Sequence, residues 1–261
     1  IRDRVASRGS EMCIRDSWNN YLDSLETKKI GILNVTKDSF SGDGIYGSQD
    51  KLLSKFEIAQ KRNFKLLDIG CMSTKPKFKK IGKNEELKRF SFFLENISEY
   101  FDYSIDSFNP LVIKEALKNN FLIINDITGF NDDSWIKIAK EEKSGIIVMH
   151  NDPNSRHLHE KMNYKNIVKE VNSQIQLQVD NLIDNGISKE QIAVDPGFGF
   201  GKTMQDSAEL FLGLEKLIDT YPVIVGYSKK KFTELLNMTS SEMEKHCFES
   251  GVSMLRLHID N

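Results

Sequence analysis

The chain of 261 residues is short of cysteine and proline, with three of the first and five of the second. Cys13, Cys71 and Cys247 are odd in number and far apart, which excludes a disulfide framework and a thiolate metal site and fits a reducing cytoplasm. Long apolar runs are also missing. The richest stretch, Gly145–Met149, is the size of a strand, whereas a membrane helix needs roughly 20 apolar residues. Neither sign of charge is in excess: 36 basic against 38 acidic side chains leave a net charge of −2. That balance supplies no basic face for nucleic acid and no polybasic patch for a membrane surface. The first 17 residues lack both apolar periodicity and the apolar core of a secretory signal, and Ser10–Ser17 resembles translated sequencing adaptor. Residues 1–17 are therefore expected to be a non-native or disordered leader, and 18–261 a single domain.

What the chain does have, from Lys29 onward, is alternation. A short β-branched run, a polar or Gly-bearing loop and a longer segment with helical spacing repeat in turn, as in parallel βα units. Strands are expected at Ile30–Asn34, Leu66–Ile69, Tyr103–Asp106, Leu122–Asn125, Ile146–Met149, Ile192–Asp195, Val223–Gly226 and Met254–His258. Helices are expected at Gln49–Arg62, Asn84–Glu99, Pro110–Asn119, Asp133–Glu142, Tyr164–Asn185, Asp206–Asp219 and Ser240–Ser250. Eight such strands in about 250 residues suit a TIM (β/α)8 barrel, with an open doubly wound sheet as the rival. The polar residues decide between them. Asn34, Asp68, Asp106, Asn125, His150, Asp195, Ser228 and His258 all fall at or just past the end of an expected strand. In a barrel those ends meet on one rim.

The loops carry the chemistry. After the first strand comes Asn34-Val35-Thr36-Lys37-Asp38-Ser39-Phe40-Ser41-Gly42-Asp43-Gly44, and after the second Asp68-Ile69-Gly70-Cys71-Met72-Ser73-Thr74-Lys75-Pro76. Ser104-Ile105-Asp106-Ser107, Ile123-Ile124-Asn125-Asp126 and Val148-Met149-His150 follow; each alone reads equally well as a strand-end turn. The string Asp195-Pro196-Gly197-Phe198-Gly199-Phe200-Gly201-Lys202-Thr203 ends like a P-loop, but Pro196 stands where that motif requires glycine. A nucleotide triphosphatase is excluded. Gly226-Tyr227-Ser228-Lys229-Lys230 and Arg256-Leu257-His258 close the series. His157 and His159 lie in a polar loop with no supporting ligands, so they read as exposed histidines rather than a metal centre.

Taken together and in this order, the seven motifs resemble those of dihydropteroate synthases within the pterin-binding enzyme family, over Lys29 to His258. The family usually has Pro at the position of Lys37, Glu at Met72, Arg at Lys75 and Lys229, and an Arg-x-His-Asp ending that Ile259 interrupts here. A family barrel also continues into a final helix that this sequence lacks after Asn261, so a truncated sequence is expected. The resemblance implies a transferase of folate biosynthesis and a sulfonamide target, which joins p-aminobenzoate to 6-hydroxymethyl-7,8-dihydropterin pyrophosphate and releases pyrophosphate. It implies Asp195 for the pterin's 2-amino and N3 donors, with Asp106, Asn125 and Lys230 in the same pocket and Met149 and Phe200 packing beside it. It further implies Asn34, Arg256 and His258 at the pyrophosphate, with Mg²⁺ bridging Asn34 to phosphate oxygens. Thr74, Lys75 and Ser228 fall to the p-aminobenzoate side, closed over by Asp38, Ser39 and Phe40, and the family suggests a homodimer. A methyltetrahydrofolate methyltransferase and a non-catalytic pterin-binding homologue remain as alternatives.

Overall fold

The computed structural model describes residues 17–37, 44–72, 81–128, 133–152, 160–217 and 220–260. Eight parallel strands run β1 (Lys29–Asn34), β2 (Leu66–Gly70), β3 (Asp102–Asp106), β4 (Ile123–Asp126), β5 (Gly145–Met149), β6 (Ile192–Asp195), β7 (Ile224–Val225) and β8 (Met254–His258). They are ordered β6-β5-β4-β3-β2-β1-β8-β7. A bridge between Val194 and Val223, with the Val194 N–H donating to the Pro222 carbonyl at 2.9 Å, brings the last strand back to the sixth. The fold is a TIM barrel, as the strand count required.

Helices α1 (Trp18–Ser24), α2 (Gln49–Lys61), α3 (Lys83–Glu95), α4 (Pro110–Lys118), α5 (Asp133–Glu142), α6 (Ile167–Asp184), α7 (Met204–Leu212) and α8 (Ser240–Glu249) surround it. Where the bounds differ from the pattern-based ones, capping explains the difference. α6 starts three residues later than its apolar spacing suggests because Asn166 Oδ1 accepts the Lys169 N–H, and Glu170 Oε1 collects the N–H groups of Lys165 and Asn166. α7 starts earlier, since Thr203 and Asp206 cap each other's backbone, and it stops at Leu212 with a separate 3-10 turn at Leu214–Lys216. Pro110 occupies the first turn of α4 behind the Asn109 cap.

Side chains alternate along each strand, so the barrel interior is layered. At the bottom sit Ile30, Leu66, Ile123, Ile147, Ala193, Ile224 and Met254. Helix α1, absent from the expected helices, plugs this layer with Trp18, Tyr21 and Leu22. The Trp18 indole donates to the Gln191 carbonyl at 2.8 Å, and the Tyr21 hydroxyl to Asp102 Oδ2 at 3.1 Å. The opposite faces of the strands pack on the helices in a second apolar shell, with Phe93, Tyr103 and Phe121 in mutual aromatic contact under α3 and α4. Two residues above the bottom layer the interior turns polar: Asp68, Ser104, Asn125, Asp195 and Arg256 occupy it. That layer is the floor of the site.

Trp18 is 1% exposed, so Trp18→Ala should destabilise the fold by about 3–5 kcal/mol in denaturant titration while leaving ligand affinity at the other end of the barrel intact.

Candidate active site

Arg256 organises the polar layer. Its Nε donates to Asp68 Oδ2 and its Nη2 to Asp106 Oδ2, both at 2.6 Å. Asn125 Nδ2 donates to the same Asp68 oxygen at 2.8 Å. One guanidinium thus spans β2, β3 and β8, using two of its five N–H groups. Burial opposes the Arg256 charge, but Asp68 and Asp106 outweigh it and hold its pKa above the ordinary value. One cation between two carboxylates leaves the layer short of positive charge. The deficit falls on Asp106: burial first, then Asp68 and Asp126, push its pKa up to about 7, against the pull of Arg256.

Asp195 ends β6 beside this network. It is buried, and its Oδ1 accepts the Gly197 N–H at 2.7 Å. Its Oδ2 has no protein partner among the described residues. Burial raises its pKa, with Lys230, the Gly197 N–H, Arg256 and Lys202 opposing. Lys230 is turned inward, donating to the Phe198 carbonyl at 2.7 Å and lying 5.1 Å from the centre of the Phe200 ring. Burial brings its pKa down to about 8, with Asp195 opposing and Arg256 reinforcing. Met149 is buried and directly precedes His150 on β5, and its Cγ would lie 3.2 Å from a Cβ on Gly197. Met149 therefore packs against the loop after Asp195 at Gly197, and Phe200 lies beside Lys230.

At the mouth, Ser228 and His258 share a hydrogen bond of 2.8 Å between Oγ and Nδ1, and the His258 N–H donates to Ser228 Oγ at 3.2 Å. Asn34 is exposed at the end of β1. Its Oδ1 would lie 3.0 Å from a Cβ on Gly70, and Asp106 Oδ2 would lie 3.8 Å away. A side chain at Gly70 would therefore press on the Asn34 amide while making only ordinary contact with Asp106.

The sequence-derived residues mostly converge, but not on a single rim. Asp68, Asn125, Asp195 and Arg256 lie one layer inside the barrel, while Asn34, Asp106 and His258 form the layer above. His150 leaves the cavity altogether. Its imidazole packs behind β5, with Nε2 2.6 Å from Gln174 Oε1 on α6. Lys229 is exposed at φ +59°, whereas Lys230 beside it turns inward to the Phe198 carbonyl. Asp38, Ser39, Phe40, Thr74, Lys75, His157 and His159 lie outside the described residues. Two participants escaped the assignment of site residues: Asp68, visible as the acid closing the second strand, and Lys202, set aside with the P-loop resemblance.

Asp68, Asp106, Asn125, Asp195 and Arg256 thus bring three acids, an amide and a guanidinium together at the C-terminal ends of the strands, the end of a barrel where sites of this fold lie. The chain belongs to the family described as pterin binding enzyme, whose model matches residues 30–258. It is 33% identical over 215 residues to the dihydropteroate synthase of Haemophilus influenzae, a match covering 81% of this chain and 78% of that one. In structure it is similar to Xanthomonas albilineans dihydropteroate synthase with 4-aminobenzoic acid, at a TM-score of 0.78 and 27% identity over 91% of this chain and 88% of that one. It is also similar to Burkholderia cenocepacia dihydropteroate synthase complexed with 7,8-dihydropteroate, at a TM-score of 0.75 and 28% identity over 89% and 86%.

Because the folded pKa of Asp106 lies above its ordinary 3.8, the folded state binds more protons than the unfolded chain between that value and about 7. Stability contributed by the bound proton is present at low pH and lost as pH rises through about 7. Asp106→Asn should therefore raise the melting temperature by a few degrees near about pH 8 and leave it unchanged near about pH 4, in thermal unfolding followed by circular dichroism.

Proposed function

We propose that the chain is a transferase that makes 7,8-dihydropteroate. The amine of p-aminobenzoate attacks the exocyclic methylene of dihydropterin pyrophosphate, the carbon–oxygen bond to pyrophosphate breaks, and the amine loses a proton to solvent. The observation that carries the reading is Asp195, a buried carboxylate with one oxygen fixed by the Gly197 N–H and the other open. A carboxylate so held accepts hydrogen bonds from the 2-amino and N3 donors of a pterin side by side. Asn125 and Asp106 line the same floor. Lys230, with its pKa near the working range, donates to the ring's carbonyl edge. No covalent intermediate is involved, so the protein's part is alignment and charge stabilisation.

In this proposal the leaving pyrophosphate meets His258 and Arg256, which has N–H groups beyond the two given to Asp68 and Asp106. Asn34 fits a magnesium ion: it offers a hard amide oxygen at the exposed strand end, and magnesium takes few protein ligands beside substrate phosphates. Among the described residues no cluster of three or more His, Cys, Asp or Glu could hold a metal, so such an ion would rely on pyrophosphate oxygens. When bound it would neutralise charge on the leaving group. In this reading Thr74, Lys75 and Ser228 fall to the p-aminobenzoate side, with Asp38, Ser39 and Phe40 closing over it; a sulfonamide would compete for the p-aminobenzoate position.

The assembly in this proposal is a homodimer. Leu177 on α6, Leu212 on α7 and Phe248 on α8 are exposed on successive helices, and α8 is tied to α7 through His246 Nε2 and the Phe211 carbonyl at 2.9 Å. Among the described residues no helix is long and apolar enough to cross a membrane, and the free Cys71 and Cys247 are buried. The reading places the protein in the cytoplasm.

Purified protein given the pterin pyrophosphate and Mg²⁺ should release pyrophosphate only when p-aminobenzoate is added, and a sulfonamide should suppress that release. Release independent of the amine, or none from a folded protein that binds pterin, contradicts the proposal. Leu177→Glu combined with Leu212→Glu should shift the sedimentation coefficient from dimer to monomer; an unchanged dimer would place the interface elsewhere.

A further inference from the structure

We propose that Lys202 is a positioning residue for the pterin pocket: its buried ammonium, backed by His150, pins the Gly197–Gly201 loop in the conformation that aims Asp195 at the ligand. The inference rests on the pterin reading of the site.

The loop needs holding. Gly197, Gly199 and Gly201 all have positive φ, at +66°, +76° and +64°, so its backbone has little intrinsic preference for this path. A Cβ on Gly197 would come within 2.4 Å of the His150 carbonyl, so the loop also runs hard against the end of β5. Lys202 supplies the fixing contacts. Its three N–H groups meet three acceptors: His150 Nδ1 at 2.8 Å, the Gly197 carbonyl at 3.0 Å and the Phe200 carbonyl at 3.1 Å. Gly197 is consequently gripped at both ends. Its carbonyl is taken by Lys202 and its N–H by Asp195 Oδ1. The Phe198 carbonyl accepts from Lys230 at 2.7 Å, so two lysines share the carbonyls of one loop.

His150 makes the arrangement possible by staying neutral. Burial, and then Lys202, push its pKa down to about 3. Gln174 Oε1 takes the proton at Nε2, Gln174 Nε2 donates to Asp152 Oδ2 at 3.2 Å, and Nδ1 is left as an acceptor. Burial, and then Lys230, bring the Lys202 pKa down to about 7, with Asp195, Asp152 and Asp206 opposing. An ammonium so placed, with every donor used inside the protein, touches no substrate and acts through Asp195.

The test compares wild type with Lys202→Met, using calorimetry with the pterin pyrophosphate in the absence of p-aminobenzoate, and KM for each substrate in turnover. Loss of a charge-assisted loop contact should weaken pterin affinity about tenfold or more, with the KM for p-aminobenzoate changed by less than about twofold. His150→Phe, which leaves both loop carbonyls bound, should show a smaller loss of the same selective kind, and the double variant should bind no worse than Lys202→Met alone. Unchanged pterin affinity, equal losses for both substrates, or strictly additive effects would overturn the inference. If Lys202→Met does not fold, His150→Phe decides: a pterin-selective loss supports the role and its absence overturns it. Wild-type protein that fails to bind the pterin pyrophosphate would instead refute the functional reading itself, an outcome separate from variants that bind as well as wild type.

Discussion

The site depends on the way Arg256 divides itself between Asp68 and Asp106. Strands β2, β3 and β8 deliver one cation and two acids, in two adjoining layers, where unpaired charge is costly, and the guanidinium fork joins them at 2.6 Å on each side. The pairing sets the acids apart by their partners: Asp68 and Asp106 each give Oδ2 to Arg256, whereas Asp195 is held only through Oδ1 by the Gly197 N–H. In the proposed reaction this single residue, Arg256, would link the floor that holds the pterin to the place where pyrophosphate departs.

Such a layer weakens the barrel it sits in. Asp68 Oδ1 and Ser104 Oγ are buried without partners among the described residues, although Asp68 and Ser104 face each other in register across β2 and β3. The molecule offsets this below and outside. An all-apolar layer lies directly beneath, sealed by Trp18 and Tyr21 of α1, and aromatic contacts under α3 and α4 tighten the outer shell. Strength at the bottom of the barrel and strain at the top follow the usual division of labour in this fold.

Much of this was legible in the sequence, for a specific reason. Strand alternation places every second side chain inside, so an acid, amide or arginine two residues after a buried aliphatic, as in Leu66-Leu67-Asp68, Ile123-Ile124-Asn125 or Met254-Leu255-Arg256, marks the polar layer. Depth was not legible. A strand-end position looks the same whether it lies on the rim, as Asn34 and His258 do, or inside, as Asp195 does. Nor was direction just past the strand's end: His150 follows Met149, the last residue of β5, and faces α6. Helix α1 was missed because Trp18, Tyr21 and Leu22 make a stripe too short for periodicity, and its burial comes entirely from distant strands. Lys202 was missed because a lysine after glycines reads as a phosphate ligand or a solvated residue until the fold buries it.

The account's central claim is that the Arg256 network leaves Asp195 as the carboxylate that reads the pterin. The measurement that tests it most directly is a paired affinity comparison, with calorimetry of 6-hydroxymethylpterin and of the analogue lacking the 2-amino group on wild type and on Asp195→Asn. The account predicts that removing the amino group weakens binding to wild type by about tenfold or more and costs little further on the variant, because the partner is already gone. Equal losses on both proteins would show that another group reads that edge of the ring and would contradict the assignment.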